Sequence, residues 1–286
     1  MCGILGQVDY LSTSAWNESK FKKALSLQKH RGPDDSGVVV GENFIFGHRR
    51  LSIIDLDSHA KQPMTSSDGE VILVFNGEIY NYQELRKDLV KKGYSFSTKS
   101  DTEVLLYSYY EHGIDCIQNF IGMFAFAIFD NRTQKTFIVR DRLGVKPLYY
   151  CKIKDSLIFS SEIKSILELA DLDVALNIKA VSSYLSFRYP ILDDTFFDSI
   201  YSLPPAHYIE LTKGSFIINE YWSLVDSFKK QKVDKGEEFY LNKLQHLLES
   251  SVKYRMISDV PIGAFLSGGV DSSVITSIMA NESKDP

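Results

Sequence analysis

The stretch Gly122–Asp130, "GMFAFAIFD", decides the architecture, because it is apolar without a break from Met123 to Phe129. A strand with one wet face alternates polar and apolar residues, so a continuous apolar run is covered on both faces. Similar runs lie on either side: "EVILVFNGEIYN" (70–81), "KTFIVRD" (135–141), "PLYYCKI" (147–153) and "SLIFSSE" (156–162). "GILGQVD" (3–9) opens the chain in the same way. Short strands covered on both faces call for two sheets packed together with helices outside, an α+β arrangement.

The helices are read from spacing. In "SKFKKALSLQKH" (19–30), Phe21, Ala24, Leu25 and Gln28 fall on one face. "YQELRKDLVKKG" (82–93) has Leu85 and Leu89 on one face, Asn81 as its cap with Glu84 three residues on, and Gly93 as its stop. "TEVLLYSYYEHG" (102–113) opens on a capping-box pair, Ser100 and Glu103. Beyond Trp222 the composition changes. "SFKKQKVDKGEE" (227–238) lacks an apolar period and reads as a solvated linker. An amphipathic helix carrying Phe239, Leu244, Leu247, Leu248 and Val252 follows, then an expected strand "VPIGAFL" (260–266), a Gly-rich turn and the helix "SSVITSIMA" (272–280). The expected division is a first domain over 1–222, a linker over 223–236 and the beginning of a second domain over 237–286.

With 44% hydrophobic and 24% charged residues, the 286-residue chain has enough apolar side chains for a sizeable core. A net charge of −5 argues against nucleic acid or an anionic membrane as the main partner. The longest apolar run, "FIGMFAFAIF", is too short to span a bilayer. No secretory leader pattern opens the chain, and its three widely spaced cysteines suggest neither disulfides nor a metal site, so a cytoplasmic location is expected.

Cys2 in "MCGILG" admits two readings. It is a small apolar residue on a buried first strand, or, once Met1 is trimmed, the N-terminal residue carrying both a thiol and an α-amino group. "FLSGGVDSSV" (265–274) is the most specific local signal. There an apolar segment runs into two glycines and a helix start, a turn whose backbone donors suit a phosphate. It lacks the lysine of a Walker A loop and the third glycine of the dinucleotide fingerprint.

That turn resembles the pyrophosphate-binding loop of the ATP pyrophosphatases. Seven motifs before it, "MCGILG", "HRGPDDSG", "HRRLSIIDL", "FNGEIYNY", "KSDTEVLL", "GMFAFAIFD" and "RDRLGVKPLYY", resemble in order the class II glutamine amidotransferase domain of glutamine-hydrolysing asparagine synthetases. The resemblance implies a four-layer α/β/β/α N-terminal-nucleophile domain, followed by the first helix, strand, loop and helix of an ATP-pyrophosphatase domain. It implies that Cys2 is the nucleophile and that Asn76 and Gly77 form the oxyanion hole. Arg50 would grip the glutamine α-carboxylate, with Leu51, Ser52, Ile53 and Ile54 lining the pocket. Asp101, Gly77 and Glu78 would receive the α-ammonium. Leu266, Ser267, Gly268, Gly269, Asp271 and Ser272 would meet ATP, and Asp271 would hold Mg2+. Arg31 and Asp34 either shape the loop over Cys2 or contact substrate. Arg49 is expected to be a surface cation; His30, His48, His59, Cys116 and Cys151 are expected to be structural.

The implied partners are glutamine, aspartate and ATP with Mg2+, and the glutaminase half needs no cofactor; the resemblance also admits a homodimer. The chain ends 13 residues beyond Ser273. The expectation is therefore an active glutaminase half joined to an incomplete synthetase half, loosely held from about Lys235 onward. Two other readings stand beside it: an amidotransferase acting on another carboxylate such as a sugar acid, and a non-catalytic regulatory or binding module that keeps the fold.

Overall fold

The structure, a computed structural model, describes residues 1–10, 16–170, 172, 175–229 and 233–283. Two compact units are present: Met1–Ser52 with Asp57–Ser223, and Ile53–Leu56 with Leu224–Pro286.

The strands of the first unit, in chain order, are β1 (Gly3–Asp9), β2 (Asp35–Val40), β3 (Phe44–Arg50), β4 (Met64–Thr65), β5 (Val71–Ile79), β6 (Gly122–Asp130), β7 (Lys135–Arg140), β8 (Tyr149–Ile153), β9 (Ser156–Ser160), β10 (Ile200–Ser202), β11 (His207–Thr212) and β12 (Ser215–Glu220). They form two six-stranded sheets, ordered β10-β8-β9-β1-β3-β2 and β12-β11-β7-β6-β5-β4. Every pairing within them is antiparallel. The sheets stack face to face. Ile4, Val8, Phe44 and Phe46 of one meet Ile72, Val74, Ala125, Ala127 and Ile138 of the other in a single buried cluster. Burying each large side chain contributes roughly 1.5–3 kcal/mol, so this layer dominates the stability of the unit.

Helices α1 (Glu18–Ser26) and α4 (Ile163–Leu169) cover the outer face of the first sheet, where Phe21, Ala24, Leu25 and Ile166 pack on Leu5, Ile45, Cys151 and Ile158. Helices α2 (Tyr82–Lys91) and α3 (Asp101–His112) pack together, with α3 against β5. The result is the expected α/β/β/α layering. Cys116 and Cys151 are buried in it as free thiols, and burial pushes that of Cys151 up to about 11.

Three local expectations need correction. Asn81 stands at the N-cap of α2, where its carbonyl accepts from the N–H of Leu85 at 3.2 Å, but its side chain makes no capping bond; the amide instead bridges the carbonyl of Asn119 and the N–H of Ile121 (3.0 and 2.9 Å). Ser100 does cap α3, accepting from the N–H of Glu103 at 3.3 Å. The Glu103 carboxylate, however, turns to the amides of Ser97 and Thr98 (2.9 and 2.7 Å), so the reciprocal half of the box is absent. The third correction lies in the second unit. Residues 260–266 form no strand, because a strand needs a neighbour to satisfy its N–H and C=O groups and no described strand belongs to that unit.

The second unit contains α6 (Leu224–Lys229), α7 (Glu237–Arg255) and α8 (Val270–Glu282), with α7 and α8 joined by an ion pair between Lys253 and Glu282 at 3.4 Å. Part of the expected linker is thus helical; its residues 230–232 lie outside the described residues. No described helix is long and apolar enough to cross a membrane.

Candidate active site

Strand parity builds the site. On β1, Ile4 and Val8 point between the sheets, and Cys2, two residues before Ile4, continues that row. On β3, Phe44 and Phe46 face the same space, so His48 and Arg50 follow them inward. On β5, Ile72 and Val74 do likewise, which sends Asn76 inward as well. Three strands therefore direct polar side chains into one end of an otherwise apolar interlayer.

The Sγ of Cys2 accepts from the N–H of Leu51 at 3.4 Å. Arg31 Nε donates to the Cys2 carbonyl at 2.9 Å and its Nη1 donates to Glu162 at 3.3 Å, which anchors the chain start. Asp34 accepts from the N–H of Ser52 at 2.8 Å, so it shapes the loop after β3. Arg49 Nε donates to the carbonyl of Gly32 at 3.0 Å and is a loop clamp as well as a surface cation. Arg50 is buried and donates to the carbonyl of Asp57 at 3.0 Å.

Asn76 is fully buried, and neither its Oδ1 nor its Nδ2 has a hydrogen-bond partner. A buried amide left unpaired costs about 1–3 kcal/mol, so a protein retains one where something else will use it. The edge of β5 accounts for the rest. β4 covers only Ile72 and Leu73, and side chains complete the edge beyond them. Gln62 accepts from the N–H of Phe75 at 2.6 Å, the Nε2–H of His48 donates to its carbonyl at 3.0 Å, and Asp101 accepts from the N–H of Ile79 at 3.0 Å. Burial lowers the pKa of His48 to about 3, so the ring is neutral and this tautomer is set. By the alternation of antiparallel pairing, the N–H of Gly77 points to the same edge, between the two occupied positions. A side chain cannot replace Gly77: its Cβ would lie 2.4 Å from the carbonyl oxygen of Met123.

Electrostatics couple these groups. Burial pushes the Cys2 thiol up; the Leu51 amide, the chain-start amine and Lys146 pull it down, and Asp101 pushes it up. Burial lowers the amino group of Met1, which here still precedes Cys2, and Lys146 and Arg31 lower it further. Burial, opposed by the Ile79 amide and helped by Glu78, raises Asp101 to about 7.

Cys2, Arg50, Leu51, Ser52, Asn76, Gly77, Glu78 and Asp101 thus belong to the first unit, whereas Ile53 and Ile54 belong to the second. There the Ile53 carbonyl accepts from the N–H of Asp259 at 3.0 Å. Leu266, Ser267, Gly268, Gly269 and Asp271 are exposed in that unit, and Ser272 is half-buried. Gly268 has φ +80°, and Ser267 and Ser272 hydroxyls lie 3.0 Å apart. No cluster of three or more metal-ligating side chains occurs among the described residues. Lys146 and Gln62 escaped the sequence reading. Lys146 stands inside a quoted motif, "RDRLGVKPLYY", while nothing in the sequence around Gln62 signals its contact with β5.

A cavity of about 540 Å3 opens at the far end of β1, against Val8, Asp9 and Tyr10. Its buried carboxylate, Asp9, already accepts from Ser156, so the reactive groups gather at the Cys2 end.

Residues 1–222 match the glutamine amidotransferase domain family, and residues 243–286 match the asparagine synthase family. Asparagine synthetase [glutamine-hydrolyzing] 3 of Bacillus subtilis is 38% identical over 283 residues, covering 98% of this chain and 45% of that protein. A putative asparagine synthetase [glutamine-hydrolyzing] 2 of Methanocaldococcus jannaschii is 37% identical over 306 residues, covering 98% and 57%. The chain spans about half the length of the curated relatives it matches. Among solved structures, the glutamine phosphoribosylpyrophosphate amidotransferase of B. subtilis superposes with a TM-score of 0.57 at 17% identity, over 77% of this chain and 49% of that one, a likeness of fold alone. With its first 222 residues matched and its sheets layered in that way, the chain belongs to the glutamine amidotransferase domain family.

Proposed function

We propose that this chain releases ammonia from the side-chain amide of glutamine, with Cys2 as nucleophile once Met1 is removed, and that the ammonia amidates aspartate in an ATP-dependent asparagine synthetase. The observation that carries the reading is Asn76, fully buried with both amide atoms unpaired on the same interlayer face as the thiol. Attack of Sγ on the glutamine Cδ makes a tetrahedral oxyanion, which the Asn76 Nδ2–H and the Gly77 N–H receive. The thiol proton passes through the chain-start amine, whose ordinary pKa of about 7.7–8.0 suits proton transfer near neutrality, to the departing nitrogen. The C–N bond breaks, ammonia leaves, and water cleaves the thioester to give glutamate. Arg50 offers its planar fork to the α-carboxylate, while Asp101 and Glu78 face the α-ammonium.

For the amidation, ATP would lie at the turn between Leu266 and Ser272. The donor set there fits phosphate: the N-terminal amides of α8, two serine hydroxyls and a glycine already in the left-handed region. Mg2+ would share the single Asp271 carboxylate with the phosphates. The relatives named as asparagine synthetases support aspartate as the acceptor.

The test is ammonia release from glutamine by the purified chain, with its intact mass. A mass lacking Met1, and loss of ammonia release in Cys2→Ala, are expected. Activity in protein that retains Met1 would overturn the assignment of the nucleophile. Aspartate-dependent pyrophosphate release on the same preparation tests the acceptor.

A further inference from the structure

Asn76 is aimed by its backbone alone, since neither polar atom of its side-chain amide has a hydrogen-bond partner. That backbone lies in β5, which β6 pairs along one edge from Val71 to Ile79. On the other edge β4 pairs only Ile72 and Leu73. Phe124, opposite Gly77, turns its N–H and carbonyl to Asp141 (3.2 and 2.8 Å) and away from β5. Gly77, and by alternation Phe75, therefore turn their polar groups to the edge that β4 leaves uncovered.

The register of β4 places Gln62 opposite Phe75, and would place Ala60 opposite Gly77 if the strand ran on. It does not run on. Ser58–Ala60 form a short 3-10 turn, and the Gln62 carbonyl oxygen lies against Gly37 of β2, 2.2 Å from where a Cβ there would stand. Side chains take the strand's place. Gln62 Oε1 accepts from the Phe75 N–H at 2.6 Å, and His48 Nε2–H donates to the Phe75 carbonyl at 3.0 Å. Gln62 Nε2 in turn donates to Thr102 Oγ1 at 3.4 Å. His48 is fully buried, and its Nδ1 has no partner. An imidazole buried with one nitrogen unsatisfied is costly, and the Phe75 carbonyl is the hydrogen bond it keeps in return.

We infer that Gln62 and His48 are positioning residues of the oxyanion site: together they clamp both polar groups of Phe75 in place of a neighbouring strand, which aims Asn76 and Gly77 and leaves the Gly77 N–H to the oxyanion. A strand at this edge would fix β5 equally well, but its carbonyl would cover that N–H. Two side chains fix the strand and stop one position short. Oxyanion donors act through preorganisation, so a small displacement of Asn76 and Gly77 weakens binding of the transition state more than of the substrate. The inference rests on the glutaminase reading, in which Cys2 attacks the side-chain amide of glutamine.

The experiment is steady-state ammonia release from glutamine by the full chain and its variants Gln62→Met, His48→Phe and His48→Gln. The rate of Cys2 alkylation by iodoacetamide, mapped by mass, is measured on the same preparations. Gln62→Met and His48→Phe stay near the original side-chain volume and lose the bond to Phe75. In each, kcat should fall about 10- to 100-fold with KM unchanged. His48→Gln, whose Nε2 can donate as the imidazole does, should recover most of that loss. Alkylation displaces iodide without forming an oxyanion, so its rate at Cys2 should match wild type in all three variants. An alkylation rate that falls in step with kcat shows a merely structural role and overturns the inference. Unchanged kcat in either Gln62→Met or His48→Phe overturns it too, as does a loss in His48→Gln as deep as in His48→Phe. If the wild type releases no ammonia, the glutaminase reading falls and the inference with it; every other outcome leaves that reading in place.

Discussion

Asp101 shows how one residue's burial sets a pH dependence. Its folded-state pKa of about 7 lies above the ordinary 3.8, so the folded chain holds a proton that the unfolded chain loses on passing pH 4. The raised value means stability is present at low pH and declines between about pH 4 and 7, by about 4 kcal/mol in all. Asp101→Asn should therefore gain more thermal stability over wild type at pH 8 than at pH 4; an equal gain at both refutes the burial argument. The same variant should raise KM for glutamine steeply at pH 8, since the ammonium of the substrate loses its counter-charge. Asn76→Ala separates stability from chemistry in another way. Removing an amide with no partner should leave the thermal midpoint unchanged or higher, while kcat for ammonia release falls about 10²–10³-fold. Unchanged kcat would remove Asn76 from the oxyanion site. The motif carrying Asn76 was legible in the sequence. Its unpaired state was not, because satisfaction of a polar group depends on neighbours far along the chain.

At the scale of elements, β5 was readable from its apolar run, as were β1, β6, β7, β8 and β9. β2 and β3 were not: "FIFGHRR" places His48 and Arg50 where a strand pattern asks for apolar residues, since these two turn into the site. The edge of β5 depends on a side chain from outside any strand. Gln62→Ala leaves the N–H of Phe75 without its acceptor, an expected loss of about 1–3 kcal/mol that appears as a lower denaturant midpoint. A midpoint within error of wild type shows that water replaces the amide. The missing strand at 260–266 teaches the same lesson in reverse. Its apolar residues suggest a strand, but Pro261 and Gly263 disfavour one, and without a pairing partner the backbone would be left unsatisfied.

Over the whole molecule, burial is divided unequally. The first unit holds the interlayer core, whereas α7 buries only Val252 and α8 buries nothing. Amides of α7 and α8 should exchange with deuterium far faster than those of β5 and β6. Equal protection in the two units would mean that the helices are held by more than their own packing. The sequence by itself determined the layering, since uninterrupted apolar strands require cover on both faces. It also supplied, through its motifs, the residue types at Cys2, Arg50, Asn76, Gly77 and Asp101. Tertiary structure alone decided that Cys2, His48, Arg50 and Asn76 turn into one interlayer end, and that the Gly77 N–H sits between two occupied edge positions. The physical reason is that strand parity and local propensity are carried by neighbouring residues, whereas burial, pairing and field at a site are sums over groups that only the folded chain brings together.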